Sequence, residues 1–140
     1  MLPSKPGTYI LLFYLQKNET VQIGKLGKFI FTSGYYCYVG SAFGPGGLKA
    51  RVTRHIKLDK LNRWHIDYIR SKMVLLEVWY TVQPTKLECA LSGQLAFMNC
   101  NLPVNGFGAS DCKCKSHLFQ FKLKPELCEL ENLLCHNVNI

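Results

Sequence analysis

The stretch 34-GYYCYVGSAFGPGGLKARVTRH-55 decides the fold. Its first half, 35-YYCYVG-40, carries the aromatic and branched residues of a strand. Its second half reads as a helix starting near Leu48, with Leu48, Val52 and Ile56 recurring every four residues as the buried stripe. Gly40, Gly44, Pro45, Gly46 and Gly47 lie between the two. Arg51 and His55 are four residues apart and share a helix face, read as a different one from that stripe. A glycine-rich segment entering a helix can hold an anion on its backbone N–H groups. The Gly-Lys-Ser/Thr ending of a nucleotide loop and the GxGxxG spacing of a dinucleotide fold are both missing, so a plain turn is the simpler reading of the glycines.

Outward from this corner the chain alternates strands and helices. 8-TYILLFYL-15 reads as a strand and Asn18 and Glu19 as a hairpin turn, with 20-TVQIG-24 and 28-KFIFT-32 as two further short strands. 64-WHIDYIRSK-72 reads as a short helix and 73-MVLLEVWYTV-82 as a strand. A third helix is expected from Thr85, with Leu87, Leu91, Leu95 and Met98 on its apolar face. 102-LPVNGFGASDCKCKSH-117 reads as a loop and 118-LFQFKLK-124 as a strand. 125-PELCELENLLCHN-137 reads as a closing helix with proline at its first turn and glutamates early. The pattern predicts one α+β domain over 1–140, a mainly antiparallel sheet flanked by helices, with a core over about 5–124 and a C-terminal helix over about 125–137.

The chain has 140 residues, 48% of them hydrophobic, enough for a core of its own. The early apolar run 10-ILLFYL-15 is too short for a signal peptide or a membrane span, so a cytoplasmic protein without membrane contact is expected. Residues 1–70 hold 11 Lys and Arg against 3 Asp and Glu, whereas residues 71–140 hold 6 against 6. The net charge of +8 therefore belongs to the first half, and a one-sided basic field attracts polyanions such as nucleic acid. Seven cysteines, an odd number, fit reduced thiols better than a disulfide framework. Cys37, Cys89 and Cys100 lie among apolar neighbours and read as small core residues.

Tyr9, Tyr38, Arg51, His55 and Glu88 are an odd selection for a core, but they suit metal-assisted phosphodiester hydrolysis. The order 7-GTY-9, 38-YVG-40, an arginine with a histidine four residues on, and a glutamate on a later helix resembles the GIY-YIG nuclease superfamily. The segments 34-GYYCYVGSA-42, 46-GGLKARVTRHI-56, 64-WHIDYI-69 and 106-GFGASDCKCKSHLF-119 resemble a small-protein branch of it, also found fused to endonuclease III-type glycosylases. The resemblance implies that Tyr9 activates or positions the attacking water, Tyr38 orders water and phosphate, and Arg51 stabilises charge on the phosphate. His55 matches the family position one turn after Arg51, and Glu88 matches the single ligand of Mg²⁺ or Mn²⁺. Lys49, Arg51, Arg54 and His65 are the residues expected to touch nucleic acid, DNA in a repair or processing role. Specificity would then come from a protein partner, a homodimer or the inserted hairpin.

The chain departs from the family in several places. The first motif is Gly-Thr-Tyr, the connection from Tyr9 to Tyr38 is long enough for an inserted hairpin, and Ser41 stands where many relatives carry a basic residue. A nucleic-acid-binding module of the same fold without cleavage is the alternative reading. Several residues also have structural readings. 85-TKLE-88 has the form of a capping box, which would occupy Glu88 with a helix end. Tyr9 and Tyr38, like Tyr35 and Tyr36, could be half-buried strand tyrosines, and Trp64 reads as core. His65 either faces the phosphate site or pairs with Asp67 or a backbone carbonyl. Cys112, Cys114 and His117 are three soft donors in six residues and could hold Zn²⁺, with Cys128 and His136 as fourth ligands only if the tail folds back. Otherwise 106-GFGASD-111 forms a turn anchored by Phe107, bringing Ser110 and Asp111 to the site, and the thiols are packing.

Overall fold

The computed structural model describes residues 2–58, 60–109, 112–130 and 133–137. Ser110 and Asp111, and the side chain of His136, lie outside the described residues. In chain order the elements are β1 (Gly7–Leu15), β2 (Glu19–Ile23), β3 (Gly27–Phe31), β4 (Gly34–Ala42) and α1 (Gly47–Ile56), then β5 (Val74–Thr81), α2 (Glu88–Ala96), β6 (Leu118–Phe121) and β7 (Leu134–Asn137). The five-stranded sheet runs β6-β4-β1-β5-β7, and every pairing in it is antiparallel. The α+β class with an antiparallel sheet flanked by helices is the architecture seen.

The central strand explains why 8-TYILLFYL-15 is apolar without alternation. Tyr9, Leu11, Phe13 and Leu15 pack on one side of the sheet with Leu48 and Val52 of α1. Ile10 and Leu12 pack on the other side with Leu91 and Leu95 of α2. A strand covered on both faces needs apolar residues at successive positions. β2 and β3 form a separate two-stranded sheet, the inserted hairpin, which places Val21 and Phe29 against the α1-side core.

Asn18 and Glu19 are not a hairpin turn, because β1 pairs with β4 and β5 rather than β2. Asn18 instead accepts a hydrogen bond from Ser33 N–H at 2.9 Å, tying the two ends of the inserted hairpin together. The helix expected over 64–72 is two 3₁₀ turns, His65–Tyr68 and Arg70–Lys72. The closing helix over 125–137 is not formed either. A 3₁₀ turn, Leu127–Glu129, is followed by β7, which pairs with β5 at Trp79 and Tyr80. An open sheet edge there outweighs the helix-starting signals of Pro125 and Glu126.

Two features of α1 differ from its sequence pattern. Buried positions are Leu48, Val52 and His55, whereas Ile56 is 37% exposed. At roughly 100° per residue, position 55 lies within about 20° of Leu48 and position 56 about 80° away. His55 therefore belongs to the buried face, not to a separate Arg51 face. The first N–H groups of α1 are also occupied: Leu48 donates to Lys5 O and Lys49 to Pro3 O, both at 2.9 Å. The glycine-rich stretch is thus a turn and not an anion cradle. Gly47 has φ +60°, and a Cβ there would lie 2.4 Å from Lys5 O.

Candidate active site

β6 pairs with β4 only from Tyr35 to Tyr38. Beyond that register, the end of β4, the start of β1 and the first turn of α2 surround a cleft of about 480 Å³. Tyr9, Tyr38, Arg51, Glu88 and His65 all line it, together with Trp64, Lys86 and Cys89. Tyr9 pairs across the strands with Gly40, and Tyr38 lies two residues from Gly40 on the same sheet face. A Cβ at Gly40 would sit 2.4 Å from the Tyr9 ring and hydroxyl, so glycine is required for that ring to lie over the strand.

His55 lies beneath the cleft rather than in its lining. Its ring packs among Tyr9, Tyr38 and Trp64, with centroids 5.4, 5.8 and 5.5 Å away. Its Nε2 is 2.7 Å from the Tyr9 hydroxyl, while its buried Nδ1 has no partner among the described residues. Burial pulls His55 down to about 3, so the imidazole is neutral. A buried N–H without an acceptor costs more than a lone pair without a donor. The favoured tautomer therefore carries its proton on Nε2 and donates it to the Tyr9 oxygen. Burial pushes the Tyr9 phenol well above its ordinary value; Tyr38 and Glu88 add to the rise and Arg51 opposes it. Tyr38 is raised by burial and by Glu88 as well.

Arg51 is oriented by the backbone: its Nη1 donates to Ser41 O at 2.8 Å. Its guanidinium lies 4.3 Å from the Trp64 ring, and Arg54 stacks on that ring at 4.2 Å. Trp64 is partly buried: it packs against the core, and its ring is also a platform for the Arg51 and Arg54 guanidinium groups, with Arg63 farther off at 5.9 Å. Arg54 also donates to Asp67 at 3.1 Å and to Leu61 O. Asp67 in turn accepts the Arg63 and Trp64 N–H groups at 2.8 Å. Burial pushes Asp67 up, but these bonds outweigh it and hold its carboxyl below the usual range. Among the described residues His65 pairs with neither Asp67 nor a carbonyl; it faces the cleft, and its Nδ1 accepts the Gly108 N–H at 2.7 Å. Lys49 is not brought to the cleft and lines a separate depression with Thr53 and Lys57.

Glu88 is the first residue of α2, and Leu87, not Thr85, is its capping position. A capping box needs the glutamate three residues inside the helix, so the capping reading does not hold. Glu88 faces the cleft with its Oε1 3.7 Å from His117 Nε2. Burial lowers His117, so this contact is not between two full charges. Phe107 is fully buried, with its ring 6.1 Å from Tyr38 and 5.5 Å from His65, and anchors the loop as expected.

The thiols are more than packing. Cys89, Cys112, Cys114 and His117 place their ligand atoms within 4.8 Å of one another, a group that could hold a metal ion. Cys89, a core residue by its apolar sequence neighbours, is instead exposed and belongs to this group, while Cys37 is buried and Cys100 partly so. The fourth donor is Cys89 rather than the tail residue Cys128. Lys86 was not singled out in the sequence either; it lines the cleft with its ammonium 5.7 Å from the Phe43 ring. Its place two residues before Glu88 was the only signal.

A family model described as a domain of unknown function, DUF123, matches residues 8–139. The chain belongs to that family. Curated proteins and solved structures give no match. Among the described residues no helix is long and apolar enough to cross a membrane.

Proposed function

We propose that the protein is a metal-dependent endonuclease of the GIY-YIG type, hydrolysing phosphodiester bonds in nucleic acid, with DNA as the first substrate to test. The observation that carries this reading is the convergence of Tyr9, Tyr38, Arg51 and Glu88, from four separate elements, on one cleft. Arg51 and Lys86 supply positive charge for the phosphate, and Arg51 is held in place by Ser41 O and Trp64. Tyr9 is the base. On ionising, its phenolate is stabilised by the His55 Nε2–H and by Arg51. It takes a proton from water as the water oxygen attacks phosphorus and the bond to the leaving oxygen breaks. Tyr38 orients that water or a phosphate oxygen.

Cys89, Cys112 and His65 also line the cleft, but its oxygen donors, the Glu88 carboxylate and the hydroxyls of Tyr9, Tyr38 and Ser41, are the hard set that suits Mg²⁺ or Mn²⁺, which keep water and take substrate phosphate as further ligands. Glu88 would hold that ion, which when bound supplies charge stabilisation for the phosphate and leaving oxygen. With Glu88 engaged by a cation, its raising effect on both phenols is also lost. Zn²⁺ belongs instead with the thiolate group. A cytoplasmic location, where thiols stay reduced, suits both.

The test is cleavage of plasmid and end-labelled DNA and RNA with Mg²⁺, stopped by EDTA. Tyr9→Phe should lower kcat by about 100-fold or more. Lys49→Ala, outside the cleft, should leave it within roughly twofold. Salt-dependent binding without cleavage in wild type would replace this reading with that of a binding module.

A further inference from the structure

Cys112 and Cys114 lie two residues apart in a bent segment of the loop that brings both sulfurs to one cluster. Across from them lies Cys89 in the first turn of α2. His117 completes the set, with Nε2 3.1 Å from Cys112 Sγ. The other ring nitrogen, Nδ1, is 2.5 Å from the buried Ser92 hydroxyl. With the Nδ1 proton donated to Ser92, the Nε2 lone pair points into the cluster, the arrangement of a ligating histidine with its supporting partner. The His117 backbone is fixed as well, donating to Phe107 O at 2.8 Å and accepting from Val39 N–H at 3.0 Å.

We infer that Cys89, Cys112, Cys114 and His117 form a four-coordinate site for a single zinc-class cation, which fastens the 102–117 segment to the first turn of α2 and so sets Glu88 in the cleft. Donors of a tetrahedral zinc lie roughly 3.5–3.8 Å apart, given bonds of about 2.0–2.3 Å. The four atoms here lie within 4.8 Å of one another, so small side-chain turns reach that geometry, with the wider pairs closing and the 3.1 Å Cys112–His117 pair opening by a few tenths of an ångström. They are too close together to leave room for inorganic sulfide between metal centres. Three thiolates and an imidazole select a borderline-soft ion over Mg²⁺. Four protein donors close the coordination sphere, as in structural rather than catalytic zinc sites. Binding would release the thiol protons and add its free energy to folding of the loop. Cys89 follows Glu88 directly, so the same helical turn presents a hard donor to the cleft and a soft donor to the cluster.

The metal site stands independently of the nuclease reading; only its positioning role rests on it. The full chain, purified without added metal and washed with EDTA, should retain about one zinc per chain. Exchange with Co²⁺ should give the visible bands of a tetrahedral thiolate site. Cys112→Ser and Cys114→Ser should each cut bound zinc at least about tenfold and lower Tm by roughly 5–10 °C. Cys128→Ser, outside the cluster, should change neither. If those variants fail to fold, Co²⁺ titration of reduced, metal-free wild type reads the same site. Wild type that takes up neither zinc nor cobalt, or a Cys112→Ser variant that binds as wild type does, overturns the site. Zinc-bearing protein that cuts no nucleic acid leaves the site standing and removes the proposed function. Folded, zinc-free protein that cuts as fast with Mg²⁺ removes the positioning role.

Discussion

Tyr9 and His55 meet across 2.7 Å in surroundings where burial keeps both uncharged. That has a consequence for stability. An unfolded histidine titrates near ~6.5, whereas His55 in the folded chain titrates at about 3. Between these values the unfolded state binds the extra proton, so stability rises with pH across that window and is lost as pH falls through it. The loss is up to about 1.4 kcal/mol per pH unit. Burial lowers His65 and His117 too, so they contribute with the same sign. The check is Tm from pH 7 to 4.5 for wild type and His55→Gln; the variant should show the shallower slope, and parallel slopes would contradict the buried neutral assignment. At this scale Tyr9, Tyr38, Arg51 and Glu88 were legible from motif order. The burial of His55 was not, because Leu48 and Val52 are compatible with either position 55 or position 56 completing the stripe. Cys89 was missed because it lies 23 positions before Cys112 with no paired-cysteine spacing.

Among the elements, α1 carries the most. It presents Arg51 to the cleft and His55 to Tyr9, and its C-terminal end is held by a buried arginine. Arg70, 4% exposed, donates to His55 O at 2.6 Å, Met73 O at 2.9 Å and Ile56 O at 3.2 Å. Its guanidinium also lies 5.4 Å from the Phe13 ring. A cation on the last carbonyls of a helix satisfies groups that no backbone N–H reaches. Arg70→Met keeps the bulk but strands those carbonyls, and should cost about 2–4 kcal/mol in urea unfolding. A loss under about 0.5 kcal/mol would mean that water serves them equally well. Strands were readable here because aromatic and branched runs are strong local signals. The segment 64–72 was read as one helix because its apolar spacing fits a turn of either kind. Asp67 caps the start of the first turn by accepting the N–H groups of Arg63 and Trp64, a start signal that does not distinguish a 3₁₀ turn from a longer helix. β7 was illegible for a related reason: its pairing with β5 is a long-range event that local helix signals cannot report.

Over the whole molecule, Arg51 from the positively charged first half lies beside residues of the neutral second half, Lys86 and Glu88. The fold joins them because β1 is central, with β4 on one side and β5 leading towards α2 on the other. The fold class was legible because strand patterns and hairpin-like spacing survive translation into a sheet. The site was legible in its residues but not in its boundary, because the loop over 102–117 contributes a wall through Gly108 and Cys112 that sequence spacing does not place. The most direct measurement is the rate of Mg²⁺-dependent cleavage of an end-labelled DNA duplex by wild type and by Glu88→Gln, matched for fold by circular dichroism. The wild type should cut, and Glu88→Gln should be slower by about 100-fold or more while binding DNA within a few-fold. Equal rates, or a wild type that cuts with neither Mg²⁺ nor Mn²⁺, would contradict the account.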